Sequence, residues 1–200
     1  MSDGRVTLWH AEPSRSSMTK LLLDELGAPY DVVPLDLQSG DQLKPDYLAI
    51  NPMGKVPTIR HNGAIVTETV AIFIYLADAF PKAGLAPAIG DADRGPYLRW
   101  LAFYGACFEP ALMDRVMKRE PARRATSPYA DYDAMLAALR GALTPGPYIL
   151  GERFSAADVL WGAALDWTTG FGMVETTPDI AAYLARHRAR PAAQAQKGEA

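Results

Sequence analysis

The sequence is poor in cysteine and histidine and contains no long apolar run. Its single cysteine, Cys107, allows neither an internal disulfide nor a cysteine-based metal cluster. The three histidines, His10, His61 and His187, lack the spacing of metal ligands, so we predict no metal site. A formal net charge of −3 gives no reason to expect nucleic acid or a membrane surface as a partner. Because no signal peptide or spanning segment is visible, we expect a cytoplasmic protein.

What the sequence does contain is enough apolar residues to form a core. Its 200 residues are 49% apolar and 22% charged, which is typical of a globular chain with one large or two small domains. A stretch rich in Pro, Gly and Ala over 83–92 has no periodicity and indicates a linker. We therefore predict a first domain over 1–82 and a second over 93–200.

The first domain alternates short strands with helices. Hydrophobic periodicity and turn residues predict, in chain order, strand 5–9, helix 17–26, strand 30–37, short helix 45–50, strands 58–61 and 64–67, and helix 68–79. Gly27 is placed to end the first helix, and Asn62-Gly63 is a strong hairpin signal because both turn residues need positive φ. The βαβ-ββα order predicts a thioredoxin-like α/β layer, with the first two strands parallel and the hairpin at one edge.

The second domain carries only helical patterns, so we predict that it is all-helical. Apolar periodicity predicts a long helix over 97–116 with a kink at Pro110, and further helices over 135–143, 159–167 and 180–187. Ser155 and Asp158 have the spacing of a capping box, which favours a structural role for this carboxylate. The tail from Ala192 is expected to be frayed.

The stretch 51–71, NPMGKVPTIRHNGAIVTETVA, combines two features that suit ligand binding. Pro57 cannot donate a ladder hydrogen bond, so it must lie at the beginning or edge of a strand. If the Val56–Pro57 bond is cis, Val56 turns its backbone away from its own sheet and can pair with an extended peptide. The helix that begins near Glu68 offers free N–H groups to an anion. The stretch therefore predicts a peptide-backbone site beside a carboxylate site.

Four motifs occur in order along the chain, namely Ser14-Arg-Ser-Ser with Asp24-Glu-Leu-Gly27, Asn51-Pro-x-Gly-Lys-Val-Pro57, Thr67-Glu-Thr69, and Gly151-Glu-Arg-Phe-Ser-Ala-Ala-Asp158. Together they resemble the cytosolic glutathione S-transferases, and bacterial members in particular, and the similarity runs over about 6–190. The resemblance implies a glutathione site in the first domain, an electrophile site between the domains, and a homodimer. Glutathione would be a co-substrate, and no metal is implied.

The resemblance also implies a role for individual residues of the glutathione site. Val56, before the cis Pro57, would pair its backbone with the cysteinyl part of glutathione. Glu68 would meet the γ-glutamyl ammonium, and Thr69 with its helix N-terminus would meet the γ-glutamyl carboxylate. Two further side chains would lie near the glycyl end, namely Lys55 and Gln42.

Transfer chemistry needs a thiolate, since a thiol is a poor nucleophile. Family members place a Tyr, Ser or Cys at the tip of the first strand, but here that region holds Trp9 and His10. Ser14, which follows Pro13 and precedes the first helix, is the leading candidate for the hydroxyl that stabilises the thiolate. Ser16 and Ser17 are alternatives. If none of the three serves, Arg15 or backbone N–H groups would hold the anion, and the serines would be helix caps.

The electrophile pocket is predicted to be apolar and aromatic. Its candidate residues lie on the first strand and on the second domain's helices, and they are Trp9, Tyr104, Phe108, Met113 and Trp167. Part of this set has helical spacing and could equally belong to the core.

We therefore expect a transferase that conjugates the thiolate of bound glutathione to small apolar electrophiles. Two alternatives remain open at this point. One is a glutathione-dependent isomerase, peroxidase or dehalogenase, which would share the glutathione site and differ in the pocket. The other is a non-catalytic binding protein that keeps the fold.

Overall fold

The computed structural model describes residues 4–120 and 122–199, except for the side chains at 197 and 199. The chain divides between Ala83 and Gly84 into two compact units, an α/β unit followed by a helical unit. Within the described ranges, the helices are all too short or too polar to cross a bilayer.

The α/β unit contains a four-stranded mixed sheet in the order β2-β1-β3-β4. Its strands are β1 (Val6–His10), β2 (Tyr30–Pro34), β3 (Thr58–His61) and β4 (Ala64–Thr67), and its helices are α1 (Ser16–Leu26), α2 (Pro45–Leu48) and α3 (Thr69–Ala79). β1 is parallel to β2 and antiparallel to β3, and β3 pairs with β4 through a tight hairpin. This arrangement confirms the predicted thioredoxin-like layer. Asn62 and Gly63 have φ of 50° and 82°, as the predicted turn requires.

Helix α1 forms where the apolar spacing predicts it. Its buried face includes Met18, Leu21, Leu22 and Leu26, which recur at helical spacing and pack on the sheet side of the unit. Gly27 ends the helix with φ of 61°, and its N–H donates to the carbonyl of Asp24.

Strand β2 is shorter than predicted, since it ends at Pro34 and not at residue 37. The cause is a local turn around Asp36, whose Oδ1 accepts hydrogen bonds from the N–H groups of Gln38 (2.8 Å) and Ser39 (3.2 Å). Such side-chain acceptors compete with ladder pairing for the backbone. A 3₁₀ turn, Asp41–Leu43, follows in the segment that the sequence analysis left as a polar connection.

The helical unit begins with α4 (Arg94–Phe103) and α5 (Glu109–Val116), joined by a π-helical segment, Tyr104–Phe108. The interruption predicted at Pro110 therefore lies in the turn before that proline. Proline has no N–H to give to the preceding turn, and π-helical segments accommodate such breaks in the hydrogen-bond ladder.

The remaining helices of this unit are α6 (Tyr132–Leu143), α7 (Ala156–Gly170), α8 (Pro178–Arg188) and α9 (Pro191–Glu199). The tail expected to fray from Ala192 is instead α9, which packs against α8 and buries Ala193, although Ala200 lies outside the described residues. The N–H of Gln194 donates to the carbonyl of Arg190, so the chain continues from α8 into this helix through a hydrogen-bonded turn.

The start of α7 confirms the predicted capping box between Ser155 and Asp158. Asp158 is 2% exposed and accepts hydrogen bonds from the N–H groups of Ser155 (2.9 Å) and Ile149 (2.8 Å) and from the hydroxyl of Tyr183 (3.0 Å). Burial raises the pKa of this carboxyl group above its ordinary value, although the hydrogen bonds oppose the shift. Asp158 therefore joins three segments of the helical unit, as a structural carboxylate does.

Further along α7, Gly162 allows α8 to approach closely. A Cβ atom at this position would lie 2.1 Å from Nδ1 of His187, a distance that no packed structure tolerates. His187, on α8, is 8% exposed. The side chain of His187 therefore occupies the space that any larger residue at position 162 would need.

Candidate functional site

Register across the sheet brings three segments together where β1 and β4 end and β3 begins. We call this border of the α/β unit the site edge, or simply the edge. Trp9 lies opposite Thr58, and Thr58 lies opposite Thr67, so these residues form one row across β1, β3 and β4. The next row, at the strand ends, contains His10 and Glu68, which come one position later in the chain, and Pro57, which comes one position earlier. The β1–α1 loop, the loop before β3 and the start of α3 therefore lie side by side.

The Val56–Pro57 peptide bond is cis, which is the condition that the sequence analysis sets for a peptide-backbone site. Val56 is half-buried and precedes β3, while Pro57 is buried. Among the described residues, no hydrogen bond involves the backbone N–H or C=O of Val56. Both groups are therefore free to pair with an extended peptide.

Three buried side chains hold the loop that presents Val56. The carbonyl of Lys55 accepts hydrogen bonds from the hydroxyl of Tyr47 (2.5 Å), Nδ2 of Asn51 (2.9 Å) and, more weakly, Oγ1 of Thr58 (3.4 Å). Burial raises the pKa of Tyr47, which keeps it a neutral donor. The sequence analysis missed Tyr47, because its position in a four-residue helix carries no periodic signal. The side chain of Lys55 itself is exposed.

Gln42 lies against the same loop. A Cβ atom on Gly54 would lie 3.0 Å from the carbonyl oxygen of Gln42, and Gly54 has a left-handed φ of 60°, so only glycine fits this contact well. The Gln42 side chain donates weakly to the carbonyl of Leu37 (3.4 Å), and its buried Oε1 has no hydrogen-bond partner among the described residues.

Glu68 and Thr69 form the start of α3. Glu68 precedes the helix with φ of 66° and ψ of 119°, a conformation that is costly for a residue with a side chain. Its side chain is exposed, and its carbonyl accepts the helix's first backbone hydrogen bond, from Ile72. The N–H groups of the first turn, beginning with Thr69, therefore point to the edge described above and suit an anion.

The β1–α1 loop places a chain of hydrogen bonds at this edge. Oγ of Ser14 lies 2.6 Å from Oγ of Ser16, which lies 2.7 Å from Nδ1 of His10, and Nε2 of His10 lies 3.1 Å from Oε1 of Glu12. Ser16 is fully buried and His10 is 8% exposed, whereas Ser14 is half-buried. Burial lowers the pKa of His10, although Glu12 opposes the shift.

The other candidates for the thiol activator have different surroundings. Oγ of Ser17 donates to Oε1 of Glu12 (3.1 Å) and does not bond to Ser14 or Ser16. Arg15 is half-buried and serves as the N-cap of α1, but its side chain does not cap the helix. Of the three serines, Ser14 is thus the one that is partly exposed and also bonds to the buried Ser16, which in turn bonds to His10. The sequence analysis missed the link from Ser16 to His10, which joins residues six positions apart.

The structure corrects the prediction for Tyr104 and Phe108. They are 2% and 0% exposed, and their rings pack against Trp161 with centroid distances of 5.7 Å and 5.1 Å. The hydroxyl of Tyr104 donates to Oε1 of Glu109. Both residues belong to the core of the helical unit and have no free surface to offer a ligand, because apolar helical spacing marks core and pocket residues alike.

The other predicted pocket residues are placed differently. Trp9 is 6% exposed, and the guanidinium of Arg60 lies 5.2 Å from its ring centre. Met113 and Trp167 are half-buried, and Trp167 packs on Phe171 at 5.3 Å. None of these residues lines the open cavity of about 360 Å³ in the helical unit, which is formed by Arg99, Trp100, Ala138, Gly141, Ala142, Pro145, Ile149 and Gly151.

Comparison with known proteins identifies the class that this fold and edge define. The glutathione S-transferase N-terminal domain model matches residues 4–78, and a glutathione S-transferase C-terminal domain model matches residues 129–188. A solved glutathione S-transferase from a sphingomonad, complexed with glutathione, is 32% identical and superposes with a TM-score of 0.78, covering 97% of this chain and 100% of that one. The chain belongs to the glutathione S-transferase family.

Two curated bacterial relatives cover nearly the whole chain. Glutathione S-transferase GstA of Escherichia coli O157:H7 is 28% identical over 194 residues, 94% of both chains. The disulfide-bond oxidoreductase YfcG of Escherichia coli K12 is also 28% identical, over 94% of this chain and 92% of its own length. Among the residues described here, no group of three or more His, Cys, Asp or Glu is arranged to hold a metal ion.

Proposed function

We propose that this chain transfers the thiolate of glutathione to small apolar electrophiles. The observation that carries the proposal is the shared edge of the α/β unit. There the unpaired backbone of Val56 precedes β3, while the N-terminus of α3 at Glu68 and Thr69 follows β4 and the hydroxyl of Ser14 follows β1. The glutathione complex of the sphingomonad relative supports the choice of tripeptide.

Each part of glutathione has a matching group at this edge. The cysteinyl backbone would pair with Val56, the γ-glutamyl carboxylate would accept N–H groups at the start of α3, and its ammonium would meet Glu68. Charge-assisted hydrogen bonds of this kind contribute about 1.5–3 kcal/mol each, which is enough to fix the register of a tripeptide. Lys55 and Gln42 flank the loop where the glycyl end would lie.

Ser14 would then stabilise the sulfur as a thiolate. Attack of the thiolate on the electrophile forms a carbon–sulfur bond and expels the leaving group, for example chloride from an activated aryl chloride. Orientation and thiolate stabilisation would supply the rate enhancement. Trp9, Met113 and Trp167 remain candidates for the electrophile's surroundings. The family resemblance further implies a cytoplasmic homodimer, whose mass sedimentation would measure.

The test of the glutathione site is calorimetry on the parent and on Glu68→Ala. We expect Glu68→Ala to weaken binding by about 10- to 100-fold, which corresponds to one lost charge-assisted hydrogen bond. Glu152→Ala is the control, because Glu152 is also an exposed carboxylate but lies in the helical unit. If both variants bind glutathione as the parent does, the site is wrong. Turnover of an activated aryl chloride by the parent then tests transfer itself.

A second candidate is glutathione-dependent disulfide reduction, which the similarity to YfcG favours. It would use glutathione as the thiol that attacks a disulfide, since the only cysteine of this chain, Cys107, lies in the helical unit. Turnover of a small mixed disulfide beside the aryl chloride distinguishes the two activities. A Cys107→Ser variant should keep either activity.

A further inference from the structure

Ser14, Ser16, His10 and Glu12 form a continuous chain of hydrogen bonds whose direction the chemistry fixes. An ionised carboxylate can only accept, so Glu12 requires a proton on Nε2 of His10. A neutral imidazole then carries a lone pair on Nδ1. The hydroxyl of Ser16 donates to this lone pair over 2.7 Å in preference to the carbonyl of Ala11, which is further away at 3.2 Å. In this state His10 is a base whose lone pair is already directed at a hydroxyl.

The rest of the chain follows from the bonds around Ser16. Its oxygen accepts from the N–H of Ala11 (3.1 Å), and the short contact to Ser14 (2.6 Å) then requires the Ser14 hydroxyl to donate to Ser16. Ser14 in turn accepts from the N–H of Ser16 (3.1 Å). The hydrogen of Ser14 is thus engaged inward, and its remaining lone pair is available to accept a proton from outside.

We propose that His10 is the acceptor of the glutathione thiol proton, which reaches it through the hydroxyls of Ser14 and Ser16. This inference rests on the proposed function, because it requires the thiol to lie against Ser14. His10 would not touch the substrate, so it is a positioning and proton-accepting residue behind the contact hydroxyl.

The proton transfer balances without any further reactant. The S–H bond breaks and its proton binds Ser14, while the proton of Ser14 passes to Ser16 and that of Ser16 passes to Nδ1 of His10. The products are a thiolate, two neutral hydroxyls and an imidazolium. The hydrogen bonds that link the thiol, Ser14, Ser16 and Nδ1 of His10 then point the opposite way, so Ser14 donates to the thiolate and Nδ1 of His10 donates to Ser16. Nε2 of His10 still donates to Glu12.

The surroundings of His10 suit a base that is neutral before glutathione binds. Burial favours its uncharged form, and Lys20 on α1 acts in the same direction, whereas Glu12 acts in the opposite one. The new thiolate adds a second negative charge near the imidazole, which favours protonation once the thiol proton has been transferred. Glu12 orients the ring and fixes its tautomer from the solvent side.

The experiment counts protons when glutathione binds at about pH 7.5, above the ordinary histidine pKa of ~6.5. Calorimetry in buffers with different ionisation enthalpies gives the protons released, and the ultraviolet absorbance of the thiolate gives the thiolate formed. If His10 accepts the proton, the parent releases close to zero protons per thiolate. In His10→Asn, whose amide oxygen can accept from Ser16 but not take its proton, each thiolate should release about one proton.

The matched control is His61→Asn. His61 is 5% exposed, its Nδ1 also bonds a hydroxyl, that of Tyr75 at 2.9 Å, and it lies at the opposite end of β3. This variant should release protons as the parent does, which separates the relay from the general loss of a buried histidine. Circular dichroism of each variant checks that it is folded, and the parent's own count stands even if a variant fails this check.

The possible outcomes separate this inference from the proposed function. A parent that forms thiolate and releases about one proton for each overturns the relay and leaves the transferase proposal intact. A parent that binds no glutathione, or forms no thiolate, overturns both. An equal proton count in the parent and in folded His10→Asn also contradicts the relay.

Discussion

Serines lie at the start of both α1 and α7, but their hydroxyl groups have different hydrogen-bond partners at the two helices. At α7, the side chains of Ser155 and Asp158 each accept a hydrogen bond from the other residue's backbone N–H, which caps the first turn of the helix. At α1, the side chain of the N-cap residue Arg15 makes no capping hydrogen bond, and the hydroxyl of Ser16 bonds His10 and Ala11 instead. A closed capping box stabilises the fold, whereas an outward chain of hydroxyls has one end left for a ligand.

The largest expected effect is a loss of stability at the capping box of α7. Asp158→Ala should lower the free energy of unfolding by about 3 kcal/mol or more, because it leaves buried donors on Ser155, Ile149 and Tyr183 without an acceptor. Urea denaturation of the variant and the parent measures the difference. A loss below about 1 kcal/mol would show that the buried network relaxes around the cavity.

The next largest effect is on the pKa of the bound thiol, through the serines at the start of α1. Ser14→Ala should raise the pKa of the bound thiol by roughly a unit or more, about 1.4 kcal/mol per unit, while stability and glutathione affinity change little. The pH–rate profile measures this shift, beside those of Ser16→Ala and Ser17→Ala. If Ser14→Ala keeps the parent profile while Ser17→Ala loses activity, the contact hydroxyl is Ser17. Three unchanged profiles would point to Arg15 or backbone amides.

Ser155→Ala is the counterpart of Ser14→Ala at the closed helix start. The loss of a capping serine should cost about 1 kcal/mol of stability, since Asp158 keeps its other donors. The pKa of the bound thiol should not move. Urea denaturation and the pH–rate profile should therefore show that Ser155→Ala changes only stability and that Ser14→Ala changes only the pKa of the thiol. A shift of the thiol pKa in Ser155→Ala would contradict this separation.

The smallest effect separates the two regions by pH. In the helical unit, Arg140 on α6 binds both carboxylate oxygens of Asp179 and lowers its pKa from 3.8 to about 2. A lowered carboxyl pKa stabilises the fold above the unfolded value, and this contribution is lost as the pH falls from 3.8 towards about 2. Asp179→Asn should therefore cost about 0.5–1 kcal/mol at neutral pH, and the difference should vanish near pH 2.

His10 titrates in a different window. Its folded pKa lies below the ordinary value, so the unfolded chain takes up this proton first as the pH falls. Stability should therefore decrease as the pH falls through ~6.5, and His10→Asn should remove that part of the slope. Unfolding curves between neutral and mildly acid pH measure it, and an unchanged slope in the variant would contradict the shift.

The sequence predicts the parts of this molecule that depend on local chemistry. The hairpin at Asn62-Gly63, the end of α1 at Gly27 and the capping box of α7 each follow from residues within a few positions of one another. The end of β2 was missed because the side chain of Asp36 competes with the ladder, which no alternation pattern reveals. The helix α9 was missed because its burial depends on packing against α8.

The candidate site divides in the same way. The Val56–Pro57 bond and the helix start at Glu68 can be read from one stretch of sequence. The bonds from Tyr47 to Lys55 and from Ser16 to His10 cannot, because they join different elements that only the folded sheet brings together. For Tyr104 and Phe108, helical spacing predicts an apolar surface but does not show whether a ligand or Trp161 covers it.

The contact between Gly162 and His187 limits how the sequence of this family can evolve at these two positions. Because the imidazole fills the place of a Cβ atom at 162, a residue larger than glycine cannot enter position 162 while His187 keeps its place. A homologue with alanine at 162 must carry a smaller residue at 187 or hold α8 further from α7. Aligned relatives should therefore show the two positions changing together, and a mutational library should recover Gly162→Ala only beside a substitution of His187.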